Sequence, residues 1–241
     1  MMTKKQNLLS IFFLGLLLWT ATSCEDVLGI RGKGDLTTEV RQVTNFHAVD
    51  ISTNGEVELR VDSVYYVEVR CEESIIAYLE TVSDDGVLKI HFDRDVYDVD
   101  DLKIIVSAPN WDGIDISGSV RVDVPDEISG DVLDLSIAGS GDIKIFKADF
   151  NKIKARITGS GDMSLTGEAD ALDCSVTGSG NLDALNCPVL TATVHVSGSG
   201  DVRLDVSETL DVTISGSGDV EYRGDAQVTS NISGSGKVRK I

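Results

Sequence analysis

From residue 112 onward, apolar and polar residues alternate in short runs placed on either side of a recurring Gly-Ser-Gly. Before the glycines stand Leu135 and Ile137, Ala155 and Ile157, Cys174 and Val176, Val194 and Val196, and Val212 and Ile214. After them come Ile143 and Ile145, Met163 and Leu165, Leu182 and Ala184, Val202 and Leu204, and Val220 and Tyr222. A period of two on both sides predicts strands with one buried face. The intervening residues are Asp, Ser, Thr, Arg, Lys and His, so the other face is wet.

The tripeptide recurs at 139–141, 159–161, 178–180, 198–200, 216–218 and 234–236, at intervals of 20, 19, 20, 18 and 18 residues. An imperfect copy, Gly118-Ser119-Val120, precedes the first by 21 residues. Twelve glycines therefore mark corners: Gly139, Gly141, Gly159, Gly161, Gly178, Gly180, Gly198, Gly200, Gly216, Gly218, Gly234 and Gly236. Hairpins would place successive turns at opposite ends and would not call for one identical corner per period. A coil returning to the same place each period does. Residues 112–241 are therefore expected to form an all-β, right-handed, single-stranded parallel β-helix, each strand pairing with its equivalent one coil away.

The first half is less regular. Phe46–Ile51, Val57–Val61, Val64–Val69, Val87–Phe92 and Leu102–Val106 read as strands, so 44–111 is a β-rich part of the same fold. Glu72–Leu79 carries Ile75, Ile76 and Leu79 at helical spacing and is expected to make a short helix. Asp93–Asp101 is expected to be an exposed acidic loop, and residues 24–43 a tether.

The N-terminus sets the compartment. Lys4 and Lys5, an apolar run from Leu8 to Trp19, and then Ala21, Thr22 and Ser23 make a secretory signal peptide over residues 1–23. The run is too short for a membrane span, which needs about 20 residues. Cys24 follows the small residues, as in the lipobox of bacterial lipoproteins, although Ala21 stands where that motif usually has leucine. Acylation of Cys24 would make the lipid membrane a partner. Formal net charge is −19, and two units more negative once Lys4 and Lys5 leave with the leader. So acidic a chain excludes nucleic acid as a partner. Cys71, Cys174 and Cys187 remain, an odd number, and are expected to be buried thiols.

The corners repeat a chemistry. Asp142, Asp162, Asn181, Asp201, Asp219 and Lys237 each follow a Gly-Ser-Gly, so the column would run about 24 Å along the coils at about 4.8 Å per step. The four aspartates have two candidate uses: accepting local N–H groups in the turn, or binding calcium. No metal or cofactor other than calcium is called for. Thr158, Thr177, Ser197, Ser215 and Ser233 form a second, hydroxyl column. His47, His91 and His195 are scattered, with no two at metal-ligand spacing. Lys144 and Glu221 stand where a dinucleotide loop would need its third glycine.

The run Phe46-His47-Ala48-Val49-Asp50-Ile51, then Val57-Glu58-Leu59, Val67-Glu68-Val69, Gly86-Val87-Leu88-Lys89-Ile90, Val106-Ser107-Ala108-Pro109 and the Gly-Ser-Gly-Asp series resembles the head GIN domain family of "putative auto-transporter adhesins", frequent in Bacteroidetes lipoproteins. The likeness spans about residues 44–225, with Trp111 where the family has an aliphatic residue. It implies a right-handed β-helix through much of the chain and brings no catalytic residues. Glu25 and Asp26 also resemble the acidic signal that sends such lipoproteins to the outer cell surface. The expected function is a non-catalytic, outer-membrane lipoprotein binding a glycan, matrix or partner protein. The alternatives are a periplasmic structural or regulatory component, and an enzyme acting on polysaccharide.

Overall fold

The computed structural model describes residues 29–241. The expected signal peptide, Cys24, Glu25 and Asp26 lie outside the described residues. The chain is built from β1 (Ile30–Arg31), β2 (Leu36–Arg41), β3 (Ala48–Val61), β4 (Tyr66–Glu72), β5 (Leu79–Asp84), β6 (Val87–Phe92), β7 (Val96–Tyr97) and β8 (Lys103–Ala108). The repeat follows as β9 (Gly113–Gly139), β10 (Asp142–Gly159), β11 (Asp162–Gly178), β12 (Asn181–Gly198), β13 (Val202–Gly216), β14 (Val220–Arg223), β15 (Gln227–Gly234) and β16 (Val238–Lys240). From β9 onward every pairing is parallel, strand on equivalent strand, in a β-solenoid of about 6 turns.

The alternation dictates the interior. Ile137, Ile157, Val176, Val196 and Ile214 stack in register as one buried column. Ile143, Met163, Leu182, Val202 and Val220 form another on the far side of the corner. Each such side chain is shielded only by the coils above and below, so the coils stand or fall together. Fully burying one aliphatic side chain contributes about 1.5–3 kcal/mol. Register shifts fall after the second column, between Ile145 and Lys147 and between Ser164 and Thr166. The variable return between corners thus absorbs the drift of the period from 18 to 21 residues.

The solenoid begins earlier than the visible repeat. Phe46–Ile51 and Val57–Val61, expected as two strands, are joined in β3, which lies in parallel register with β9 from Ala48 to Glu58. Thr53, Asn54 and Gly55 pair with Gly118, Ser119 and Val120, so they are a corner too. On the other edge of β3, β6 pairs with its first half and β8 with its second. The acidic segment 93–101 therefore occupies the corner of that outermost coil, with β7 inside it pairing to β1.

Antiparallel strands close this end of the stack: β4 lies on β8, β2 on β4, and β5 on β6. Leu36–Arg41, within the stretch expected to be a tether, is thus a strand of the sheet, because β4 would otherwise present an unpaired edge. The helix expected over Glu72–Leu79 reduces to one 3-10 turn, Ile76–Tyr78. Glu72 is held in β4 opposite Leu36, and Arg41 donates to the carbonyls of Ile76 and Leu79, which a longer helix would have used. Trp111 fills the base of this region, fully buried against Phe46, with Nε1 donating to the Arg60 carbonyl at 2.9 Å.

Candidate functional site

The two glycines of each corner do different work. The first adopts positive φ, +122° at Gly178 and +141° at Gly216, a region that side chains with a Cβ avoid. The second avoids a collision: a methyl at Gly200 would sit 2.0 Å from the Gly180 carbonyl oxygen and 2.7 Å from a Val176 methyl. The serine between them is exposed and donates its N–H to the first glycine of the preceding coil, as Ser179 does to Gly159 at 2.8 Å.

The aspartate column is wired along the solenoid axis. Asp142 Oδ1 accepts the Asp162 N–H at 3.3 Å, Asp162 Oδ1 the Asn181 N–H at 3.0 Å, Asn181 Oδ1 the Asp201 N–H at 3.0 Å, Asp201 Oδ1 the Asp219 N–H at 2.8 Å, and Asp219 Oδ1 the Lys237 N–H at 2.8 Å. These N–H groups sit just past the corner. The acceptor therefore serves the next coil, and not its own turn as the sequence led one to expect. Asn54 likewise accepts the N–H of Ser119 on the next coil, at 3.3 Å, but inside the corner and off the aspartate column. Like charges about 4.8 Å apart repel. That is offset by the Asn181 interruption, whose Nδ2 donates to Asp162 Oδ1 at 2.8 Å, and by Arg239, 3.0 Å from Asp219. No group of three or more His, Cys, Asp or Glu side chains able to hold a metal ion forms among the described residues.

Beside this column the coils form an open depression of about 500 Å³. Arg121, Lys144 and Arg203 line it among Asp123, Asp142, Asp162, Asn181, Asp183 and Asp201, and no aromatic ring takes part. Arg121 leans towards Asp142 at 3.7 Å and Arg203 towards Glu221 at 3.4 Å. The depression spans coils that are 18–21 residues apart in sequence, so the spacing alone did not reveal it. A smaller depression, about 230 Å³, opens where the acidic segment replaces a corner, between Ser52, Thr53 and Asn54 and the residues Phe92, Arg94, Asp95, Val96 and Val99. Its only advance signal was an acidic run too long for a turn.

Other candidate groups are more ordinary. The hydroxyl column from Thr158 to Ser233 is exposed on the face before the corners. His47 pairs with Asp112 at 2.7 Å, His91 lies 3.4 Å from Glu80, and His195 is exposed on β12. Cys71, Cys174 and Cys187 are free and buried. Burial pushes the thiols of Cys71 and Cys174 up to about 12 and that of Cys187 up to about 11, so they stay protonated at neutral pH.

The family model described as "Putative auto-transporter adhesin, head GIN domain" matches residues 45–226, which is most of the chain. The chain belongs to this family. Within the head GIN domain, the match begins beside β3 and runs past β14, so the added first coil and the antiparallel strands β4 and β5 belong to it as much as the repeat does, while β2 lies before the match. Three solved structures have the same fold. One, described as a putative adhesin from Bacteroides fragilis, has a TM-score of 0.82 at 24% identity, covering 88% of this chain and 100% of that one. Another, a putative adhesin from Parabacteroides merdae, has a TM-score of 0.73 at 21% identity, covering 88% and 98%. A third, described as a putative lipid binding protein from Parabacteroides distasonis, has a TM-score of 0.73 at 21% identity, covering 88% and 99%. No curated protein matches the chain. Among the described residues no helix is long and apolar enough to cross a membrane.

Proposed function

We propose that this head GIN domain is a non-catalytic binding head, held to the outer membrane by an acylated Cys24, that takes up an extended polar ligand, a glycan or a segment of a partner protein, on the wall beside the aspartate column. The observation that carries the proposal is the depression lined by Arg121, Lys144 and Arg203. Arginine offers a planar fork of donors for carboxylate or hydroxyl oxygens, and the neighbouring carboxylates accept from hydroxyl and amide groups. Repetition at about 4.8 Å suits a ligand that is itself extended. The ladder carboxylates are bound to backbone N–H groups, a structural use that supports reading them as part of the wall. The solenoid interior is filled by side chains, which supports a surface site over an internal one.

The cellular part is tested by changing Cys24 to Ser and by adding protease to intact cells. The expected outcome is release of Cys24→Ser from the membrane fraction and cleavage of the wild-type head on unbroken cells. A wild-type head that stays protected until the outer membrane is opened would contradict the surface position and favour a periplasmic role.

A further inference from the structure

The corner formed by residues 93–101 differs from the others in charge and in what lies beneath it. It holds five aspartates and one arginine in nine residues. Its far end is tied to the last residue of β4, because the Asp100 N–H donates to Glu72 Oε1 at 3.0 Å. Glu72 is only 6% exposed, and its other oxygen, Oε2, is buried with no hydrogen-bond partner, the one such side-chain atom among the described residues. A buried carboxylate oxygen without a donor calls for a proton, a water or a cation.

The surroundings favour a cation. Gly32 lies against the same group, donating its N–H to the Tyr97 carbonyl at 3.1 Å. A methyl on Gly32 would come within 2.5 Å of the Asp98 carbonyl oxygen and 3.1 Å of Glu72 Oε1, so glycine lets the backbone pack close against both oxygens, which lie near one another on its side-chain side. The nearby arginines are engaged elsewhere: Arg31 with Asp98 at 2.7 Å, and Arg41 with Glu39 at 3.1 Å.

We propose that Glu72, the Asp98 carbonyl and the 93–101 segment form a calcium site that fixes this segment over the first coil. Calcium takes carboxylate, carbonyl and water oxygens in flexible numbers, and extracellular modules bind it at about 10⁻⁴–10⁻³ M. One buried carboxylate with carbonyls and water is consistent with the lack of a cage of three acidic side chains. The same segment walls the 230 Å³ depression through Arg94, Asp95, Val96 and Val99, so the cation would hold that depression in shape. The inference stands apart from the binding wall, which lies beyond the next corners.

The test uses the acyl-free protein stripped with chelator and returned to millimolar calcium. Calcium is expected to raise Tm by several degrees and to slow tryptic cleavage after Arg94 about tenfold. Glu72→Gln should remove both responses, while Asp142→Asn with Asp162→Asn keeps them. Failure of the wild type to respond, or an equal response in Glu72→Gln, overturns the site. A Glu72→Gln protein that matches the wild type in calcium and in chelator alike shows a protonated Glu72 and overturns it too. Should Glu72→Gln fail to fold, terbium luminescence excited through the wild-type tyrosines decides: a saturable signal displaced by calcium supports the site, and none sinks it.

Discussion

A glycine in this fold is replaceable or not according to which neighbour its missing side chain would meet. At Gly178 a methyl would lie 2.3 Å from the Gly159 carbonyl oxygen, at φ +122°. At Gly200 the conformation is ordinary, but the space is absent on two sides. Gly178→Ala and Gly200→Ala should each lose at least about 2 kcal/mol in denaturant melts, while Ser179→Ala at the exposed position between the two glycines of its corner stays within about 0.5 kcal/mol. Titration gives a second test at this scale. Desolvation first, then the charge of Asp50, raises the Asp115 carboxyl above its ordinary range. The folded state thus holds this proton more tightly than the unfolded chain, and stability falls as pH rises from the ordinary carboxylate range through the raised value. Asp115→Asn should be more stable than the wild type at neutral pH, with the advantage fading at pH values below the ordinary carboxylate range.

Corners and strands are the scale at which the sequence was most legible. The alternation around each Gly-Ser-Gly named the buried columns residue by residue, because a period-two pattern has only one register that buries it. The corner at Thr53-Asn54-Gly55 stayed hidden for a physical reason. Only Gly55 of the two glycines is kept, and Ser119, its partner through Asn54, lies 65 residues away across an inserted set of strands. The aspartates were legible as a column but not as a chain of acceptors, since the donor belongs to the next coil. That arrangement makes a distinction between two substitutions. Asp162→Asn keeps an oxygen for the Asn181 N–H and sheds like-charge repulsion, so its stability should equal or exceed that of the wild type. Asp162→Ala leaves that N–H without its acceptor and should cost about 1 kcal/mol in the same melt.

For the molecule as a whole, periodicity told how the chain winds but not how the winding stops. The terminating strand β2 has the polar sequence Leu-Thr-Thr-Glu-Val-Arg, with Leu36 and Val40 exposed, so no hydrophobic alternation announced it. Its place comes from the free edge of β4, which is a property of the assembled sheet. The depression on the wall is likewise a product of assembly, made by residues from five coils. A family resemblance was legible from the order of short motifs, whereas the ligand was not, because nothing local in Arg121, Lys144 or Arg203 distinguishes a binding residue from a solvated one. The direct test is therefore binding. Acyl-free wild type and an Arg121→Glu, Arg203→Glu double variant, matched for Tm, are compared on arrays of glycans and extracellular proteins and then by titration with the strongest hit. The account predicts a hit whose Kd weakens at least about tenfold in the variant, a loss of about 1.4 kcal/mol. Equal affinity in both proteins would contradict it.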